Sequence, residues 1–330
     1  MGCFWVTRIA CICGDSAKRC VTGGGVLGRC DISMNAGSSE NRSGIDLKAV
    51  EGLVVELLGV QRATLSKLPG FAGNLTVLVR SGGNCWVLKC CSREELEAER
   101  VAIGLAAGQG VPVPETVVMD AEPDLFPSPF ILMRCSEGEA ASSDAGLREA
   151  GRHIAALHRV ELPEFGHLKG PKYATKQDEL AALVQGVTGL READVLSEAT
   201  AAAVIHASHR AAQSSTTGPR LLHGDLHARH ILEKRGTVQA IIDWADAAGG
   251  DPLLDLARLS MQSEDGVLPE AFLSSYLEVH PLPSDVNSLL GPHRVVWAVH
   301  ALMWEIAAEG DWIAPMVGNI EAELAKLGTR

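Results

Sequence analysis

Along residues 46–135 the spacing of apolar positions changes several times, and each change predicts an element. Leu47, Val50, Val54, Leu57 and Leu58 recur at helical spacing after Asp46, and Gly59 follows as a stop. Two short apolar runs come next, Leu75–Val79 and Cys85–Lys89. The turn residues Ser81-Gly-Gly-Asn84 between them predict a hairpin. Ser92, with Glu95 three residues later, is a capping-box pattern for a helix reaching about Ala107. Gly108-Gln-Gly110 ends that helix, and Val111-Pro-Val-Pro114 forces an extended path. Val117–Met119 and Phe130–Met133 read as two more strands, joined by a Pro-rich loop over 122–129.

Beyond Gly138 the pattern turns helical, at 144–159, 177–187, 191–213, 269–279 and 292–308, interrupted by a strand-like island at 220–243. A sheet-rich first part and a helical remainder predict an α+β fold in two lobes, 46–135 and 136–330, rather than a doubly wound sheet. Residues 1–45 are Gly-, Ser- and Cys-rich without a sustained period, and read as an irregular or disordered extension. Met34 directly precedes the region where pattern begins, so the native start is open between the two positions.

Composition narrows the classes. With 330 residues, 46% hydrophobic and 21% charged, the chain has the make-up of an ordinary globular protein. No apolar stretch approaches the roughly 20 residues of a spanning helix. The opening Met1–Cys13 lacks a basic stretch before its apolar run, Arg8 interrupts that run, and Val6 breaks the myristoylation pattern. The expectation is a cytoplasmic protein with no membrane partner. A net charge of −12, with no cluster of Lys and Arg, argues against a nucleic-acid partner. Of nine cysteines, Cys3, Cys11, Cys13, Cys20 and Cys30 lack the paired spacing of a zinc site. Cys85, Cys90, Cys91 and Cys135 lie in apolar, strand-like contexts, and are expected to be reduced core residues.

The island 220–243 carries the candidate chemistry. His223-Gly-Asp225 follows the apolar Leu221 and Leu222, and a second short strand, Val238–Ile242, ends in Asp243. Two carboxylates at the ends of neighbouring strands suit phosphoryl transfer: one orients the attacking hydroxyl, while the other holds a metal on the phosphates. Each has a plainer reading. His223 could be a buried structural histidine, Asp225 a turn residue and Asp243 a helix N-cap.

These residues carry a resemblance. His223-Gly-Asp-Leu-His-Ala-Arg-His230, Ile241-Ile-Asp-Trp244 and Gly250-Asp-Pro-Leu-Leu-Asp-Leu-Ala257 resemble the aminoglycoside phosphotransferase-like family of small-molecule kinases, which has a protein-kinase-like, two-lobed fold. That resemblance implies Asp225 as the catalytic residue, Asp243 as a metal ligand, and ATP or GTP with Mg²⁺ as co-substrate and cofactor. It implies a nucleotide-binding first lobe, in which Lys89 pairs with the phosphates and Glu99 with Lys89, Glu97 being the competing choice. Gly70 and Gly73, in Pro69–Asn74, would form a flap over the phosphates, and backbone groups near Met133 and Cys135 would hold the base. Asp255 reads as structural, a carboxylate at a helix start that anchors backbone.

His230 stands where the family has Asn, and the run Asp225-Leu-His-Ala-Arg-His-Ile-Leu232 is similar to that of macrolide phosphotransferases. His230 is therefore a candidate metal ligand, and the acceptor is expected among antibiotics or related natural products. Trp297, His300 and Trp304 share one helix face, with Glu305 and Glu309 nearby in sequence; together they would suit a cationic small-molecule hydroxyl acceptor. They could equally be core. The alternatives are a non-catalytic nucleotide-binding pseudokinase, a metabolic kinase of choline, homoserine or sugar type, and a protein kinase, against which the missing H-R-D, D-F-G and A-P-E segments count.

Overall fold

The computed structural model describes residues 45–68, 74–122, 124–214, 218–283 and 285–328. The extension 1–44 and the flap glycines Gly70 and Gly73 lie outside the described residues. Helix α1 (Leu47–Leu58) starts on Asp46, whose carboxylate accepts the Lys48 amide, and ends on Gly59 in the left-handed region. Strands β1 (Thr64–Leu68), β2 (Leu75–Ser81) and β3 (Asn84–Cys90) follow. Gly82 and Gly83 both adopt positive φ in the β2–β3 turn, which explains the glycine pair read from the sequence. Helix α2 (Arg93–Gly108) carries the expected capping box between Ser92 and Glu95.

With β4 (Thr116–Asp120) and β5 (Phe130–Arg134), these strands form one antiparallel sheet in the order β1-β2-β3-β5-β4. Alternation along β5 divides its side chains between two clusters. Phe130 and Leu132 pack with Val50, Val54 and Leu88, whereas Ile131 and Met133 pack with Leu96 of α2. β1 was not legible in the sequence. It is an edge strand with mostly exposed side chains, so no apolar alternation marks it.

The remainder is largely helical. In chain order it comprises β6 (Glu139–Ala140), α3 (Asp144–Leu157), β7 (Gly166–His167), α4 (Lys176–Glu192), α5 (Glu198–Ser214), β8 (Arg220–Leu222), β9 (Ile231–Lys234), β10 (Thr237–Ile241), β11 (Ala248–Gly250), α6 (Pro252–Ser260), α7 (Glu270–Val279), α8 (Val286–Ala307) and α9 (Ile313–Gly328). One apolar core joins α3, α6 and α7 to the island 220–244; a second joins α4, α5, α8 and α9. Helix α8 begins at Val286, ahead of the start expected at 292, because Pro292, which reads as a first-turn residue, lies inside the helix. The α+β class stands as expected.

The cysteine expectation is corrected. Cys85 and Cys135 form a disulfide, because β3 and β5 pair in a register that continues from Trp86 opposite Arg134 to these two residues, with Cα atoms 5.3 Å apart. Cys90 and Cys91 are buried as expected.

Candidate active site

Strand alternation fixes the first half of the site. Trp86, Leu88 and Cys90 of β3 are buried in the sheet core, so Lys89 leaves the opposite face. There its Nζ donates to Glu99 Oε2 of α2 at 3.1 Å and to Asp243 Oδ1 at 3.0 Å. Glu99, not Glu97, is the partner: Glu97 is half-buried and pairs with Arg100. Burial opposes the Lys89 charge, but Asp243 and Glu99 outweigh it and hold the ammonium well above the ordinary lysine range. Burial pushes the Glu99 carboxyl up, and Lys89 holds Asp243 well below the usual carboxylate range.

Met133 and Cys135 lie at the end of β5, beside this cluster's strand. The Cys135 amide donates to the Cys85 carbonyl at 3.0 Å, so that N–H is already used.

The second half is the segment 223–230, and Asp255 sets its shape. The carboxylate of this α6 residue accepts the amides of His223 at 2.7 Å and Gly224 at 2.9 Å, and also bonds His158, which in turn bonds Tyr276. Asp255 is 1% exposed and anchors backbone, as expected. Gly224 has φ +86, and a Cβ there would lie 1.8 Å from the Asp246 carbonyl, so no side chain fits. His223 is fully buried: its Nε2–H donates to Ile242 O at 2.9 Å, its Nδ1 accepts the Asp225 amide, and burial holds it neutral. It is therefore structural.

Asp225 Oδ1 receives Arg258 Nε of α6 at 2.6 Å. Burial alone would raise the Asp225 carboxyl, but Arg258 together with His230 and His223 outweighs it and holds the group below the usual carboxylate range. His230 Nδ1–H donates to the Asp225 carbonyl at 2.9 Å; the ring lies between the two carboxylates, 3.7 Å from Asp225 Oδ2 and 3.8 Å from Asp243 Oδ2. Asp243 caps no helix. It sits in the left-handed region, φ 67, which Asp tolerates better than most residues. Lys89, Glu99, Asp225, His230 and Asp243 are thus brought together, while Gly70 and Gly73 lie outside the described residues.

On the face of α8, Trp297 Nε1 donates to Gly224 O at 2.9 Å, and its ring carries the Arg258 guanidinium 4.1 Å from the centroid. Trp304 lies under Lys169 Nζ at 4.0 Å, and that ammonium also pairs with Asp246 at 2.9 Å. Glu305 does not join the aromatic face. It is 1% exposed and accepts the Trp312 amide at the start of α9. Arg258 and Lys169 were not singled out from the sequence. Arg258 lies three residues after Asp255, on a helix whose Asp255 already faces the loop, and that spacing was the available signal.

A divalent cation at this site can be tested against the donors present. Among the described residues no group of three His, Cys, Asp or Glu could hold a metal alone. Asp243 offers a hard oxygen, which fits Mg²⁺ bound with phosphate oxygens and water; His230 offers a nitrogen, which Mg²⁺ favours less.

Residues 64–283 match the sequence model of a family described as the phosphotransferase enzyme family. No curated protein matches the chain. Among solved structures, an apo thermostable mutant of aminoglycoside phosphotransferase APH(4)-Ia superposes with a TM-score of 0.63 at 19% identity, over 83% of this chain and 98% of that one. A thermostable mutant of the same enzyme in ternary complex with ADP and hygromycin B gives 0.62 at 19%, over 84% and 98%. A fructosamine-3-kinase homologue from Haemophilus somnus 129PT gives 0.61 at 15%, over 84% and 97%. At these identities the likeness is one of fold, the protein-kinase-like arrangement of an antiparallel sheet followed by helices.

Proposed function

Because the chain belongs to the phosphotransferase enzyme family, we propose that it moves the γ-phosphoryl group of ATP or GTP to a hydroxyl of a small molecule. The observation that carries this reading is the Lys89 ammonium held between Glu99 and Asp243, with Asp225 on the far side of His230.

Lys89 binds the nucleotide phosphates as a point charge, kept in place by two carboxylates. Asp225 accepts a hydrogen bond from the acceptor hydroxyl and orients its oxygen in line with the γ-phosphorus. As the new O–P bond forms, the bond from the γ-phosphorus to the β,γ-bridging oxygen breaks. The hydroxyl proton passes to Asp225, and the nucleoside diphosphate leaves with the electron pair of the broken bond. A Mg²⁺ ion held by Asp243, with His230 beside it, would supply neutralisation of phosphate charge. Asp255 and Gly224 keep the Asp225 backbone against the Asp243–Asp246 segment.

The deciding experiment is an acceptor screen with ATP and GTP, read as a mass increase of one phosphate, alongside Asp225→Ala. Nucleotide binding without phosphorylation of any acceptor would favour the non-catalytic alternative. The similar fold of an aminoglycoside phosphotransferase, and the loop residues Asp225–Leu232, make antibiotics and related natural products the first panel.

A further inference from the structure

Arg258 has more donors than its one partner uses. Its Nε is bound to Asp225 Oδ1, while neither Nη has a hydrogen-bond partner among the described residues, nor is either among the buried unsatisfied atoms. The guanidinium plane is fixed from two sides, by Asp225 at 2.6 Å and by the Trp297 ring at 4.1 Å, and Trp297 is itself pinned to Gly224 O. A planar fork held rigid next to the residue that would receive the acceptor hydroxyl is preorganised for an oxyanion group, since little rotamer freedom is left to lose on binding.

Of the carboxylates around the α8 aromatic face, Asp246 is paired with Lys169 and Glu179 with Lys176, while Glu305 is 1% exposed, with one oxygen on the Trp312 amide and the other buried without a hydrogen-bond partner. We infer that the acceptor carries an acidic group, a carboxylate or a phosphate, near the hydroxyl that is phosphorylated, and that the Nη fork of Arg258 binds it. The inference rests on the phosphotransferase reading above, and it reverses the cationic acceptor expected from the sequence.

The test uses the full chain with ATP or GTP and Mg²⁺. The acceptor panel is grouped by charge: hydroxy acids and hydroxyl-bearing phosphate monoesters, neutral polyols and sugars, and amino sugars including aminoglycosides. Acidic compounds should be the preferred acceptors by kcat/KM. Arg258→Gln and the charge-retaining Arg258→Lys should both raise KM for them by on the order of tenfold or more, because each loses the fork. KM for neutral acceptors should stay close to its original value, whatever happens to kcat through Asp225. Arg258→Lys keeps a cation beside Asp225, and so covers the case in which the Gln variant does not fold.

Preferred turnover of amino sugars or neutral compounds overturns the acidic-acceptor inference and leaves the phosphotransferase reading standing. So does a fall in kcat that is equal for all acceptors with no rise in KM, which would place Arg258 on the transferred phosphoryl group instead. Nucleotide binding with no acceptor phosphorylated overturns both.

Discussion

Lys89 Nζ donates to Asp243 Oδ1 at 3.0 Å, joining β3 to the residue just beyond β10 across 154 positions of sequence. The same ammonium holds Glu99, which is 2% exposed, so one cation serves a buried carboxylate and a half-exposed one. Replacing it by Met strands Glu99 in the interior. Lys89→Met should destabilise the fold by about 3–5 kcal/mol and abolish phosphoryl transfer. Adding Glu99→Gln should recover much of the stability and none of the activity. Thermal unfolding and a turnover assay separate the two effects.

Asp225→Asn keeps the shape of the side chain and its place beside Arg258, but removes the charge that orients and deprotonates a hydroxyl. Transfer to acceptor should fall by about 10²–10⁴ while nucleotide affinity changes little. Nucleotide titration and steady-state kinetics on one preparation check this. A parallel loss of nucleotide binding would place Asp225 elsewhere in the cycle.

The pH dependence follows from Arg258. In the proposed reaction Asp225 acts as the carboxylate, and Arg258, with His230 and His223, outweighs burial and depresses its pKa. Activity limited by this group should therefore persist as pH falls through the ordinary carboxylate range near about 4, and disappear only below it. Arg258→Gln removes the counter-charge and should move the acid limb of kcat upward. A limb that does not move would show that another group sets it.

Asp255 touches no position expected to meet substrate, yet it accepts two successive amides of the 223–230 segment and a bond from His158. Asp255→Ala leaves these groups buried without an acceptor, at about 1–3 kcal/mol each. It should lower both the unfolding temperature and kcat. Asp255→Asn, which keeps an acceptor oxygen, should lie between the two proteins in both measurements.

The Cys85–Cys135 bridge closes a loop across a sequence separation of 50. Chain-entropy arguments give such a loop up to about 4 kcal/mol of stabilisation. Reduction, or Cys135→Ser, should lower the denaturant midpoint; an unchanged midpoint under reducing conditions would show that the pair contributes nothing.

Much of the site is legible in the sequence, because its signals are local. The Ser92–Glu95 box, the glycine pair at the β2–β3 turn and the His223-Gly-Asp225 segment each depend on residues a few positions apart. Local backbone chemistry favours the same conformation in almost any fold. Chain order then placed Lys89 and Glu99 ahead of Asp225 and Asp243. The sequence could not say that Lys89 reaches Asp243 as well as Glu99, that His230 lies between the two carboxylates, or that Cys85 faces Cys135. Those facts depend on strand register and on how the sheet meets the helical part. Arg258 belongs to the same class, an ordinary helical arginine until α6 meets the 223–230 segment; Trp297 is a candidate from its helix face alone, but its bond to Gly224 O and its contact with Arg258 depend on that packing.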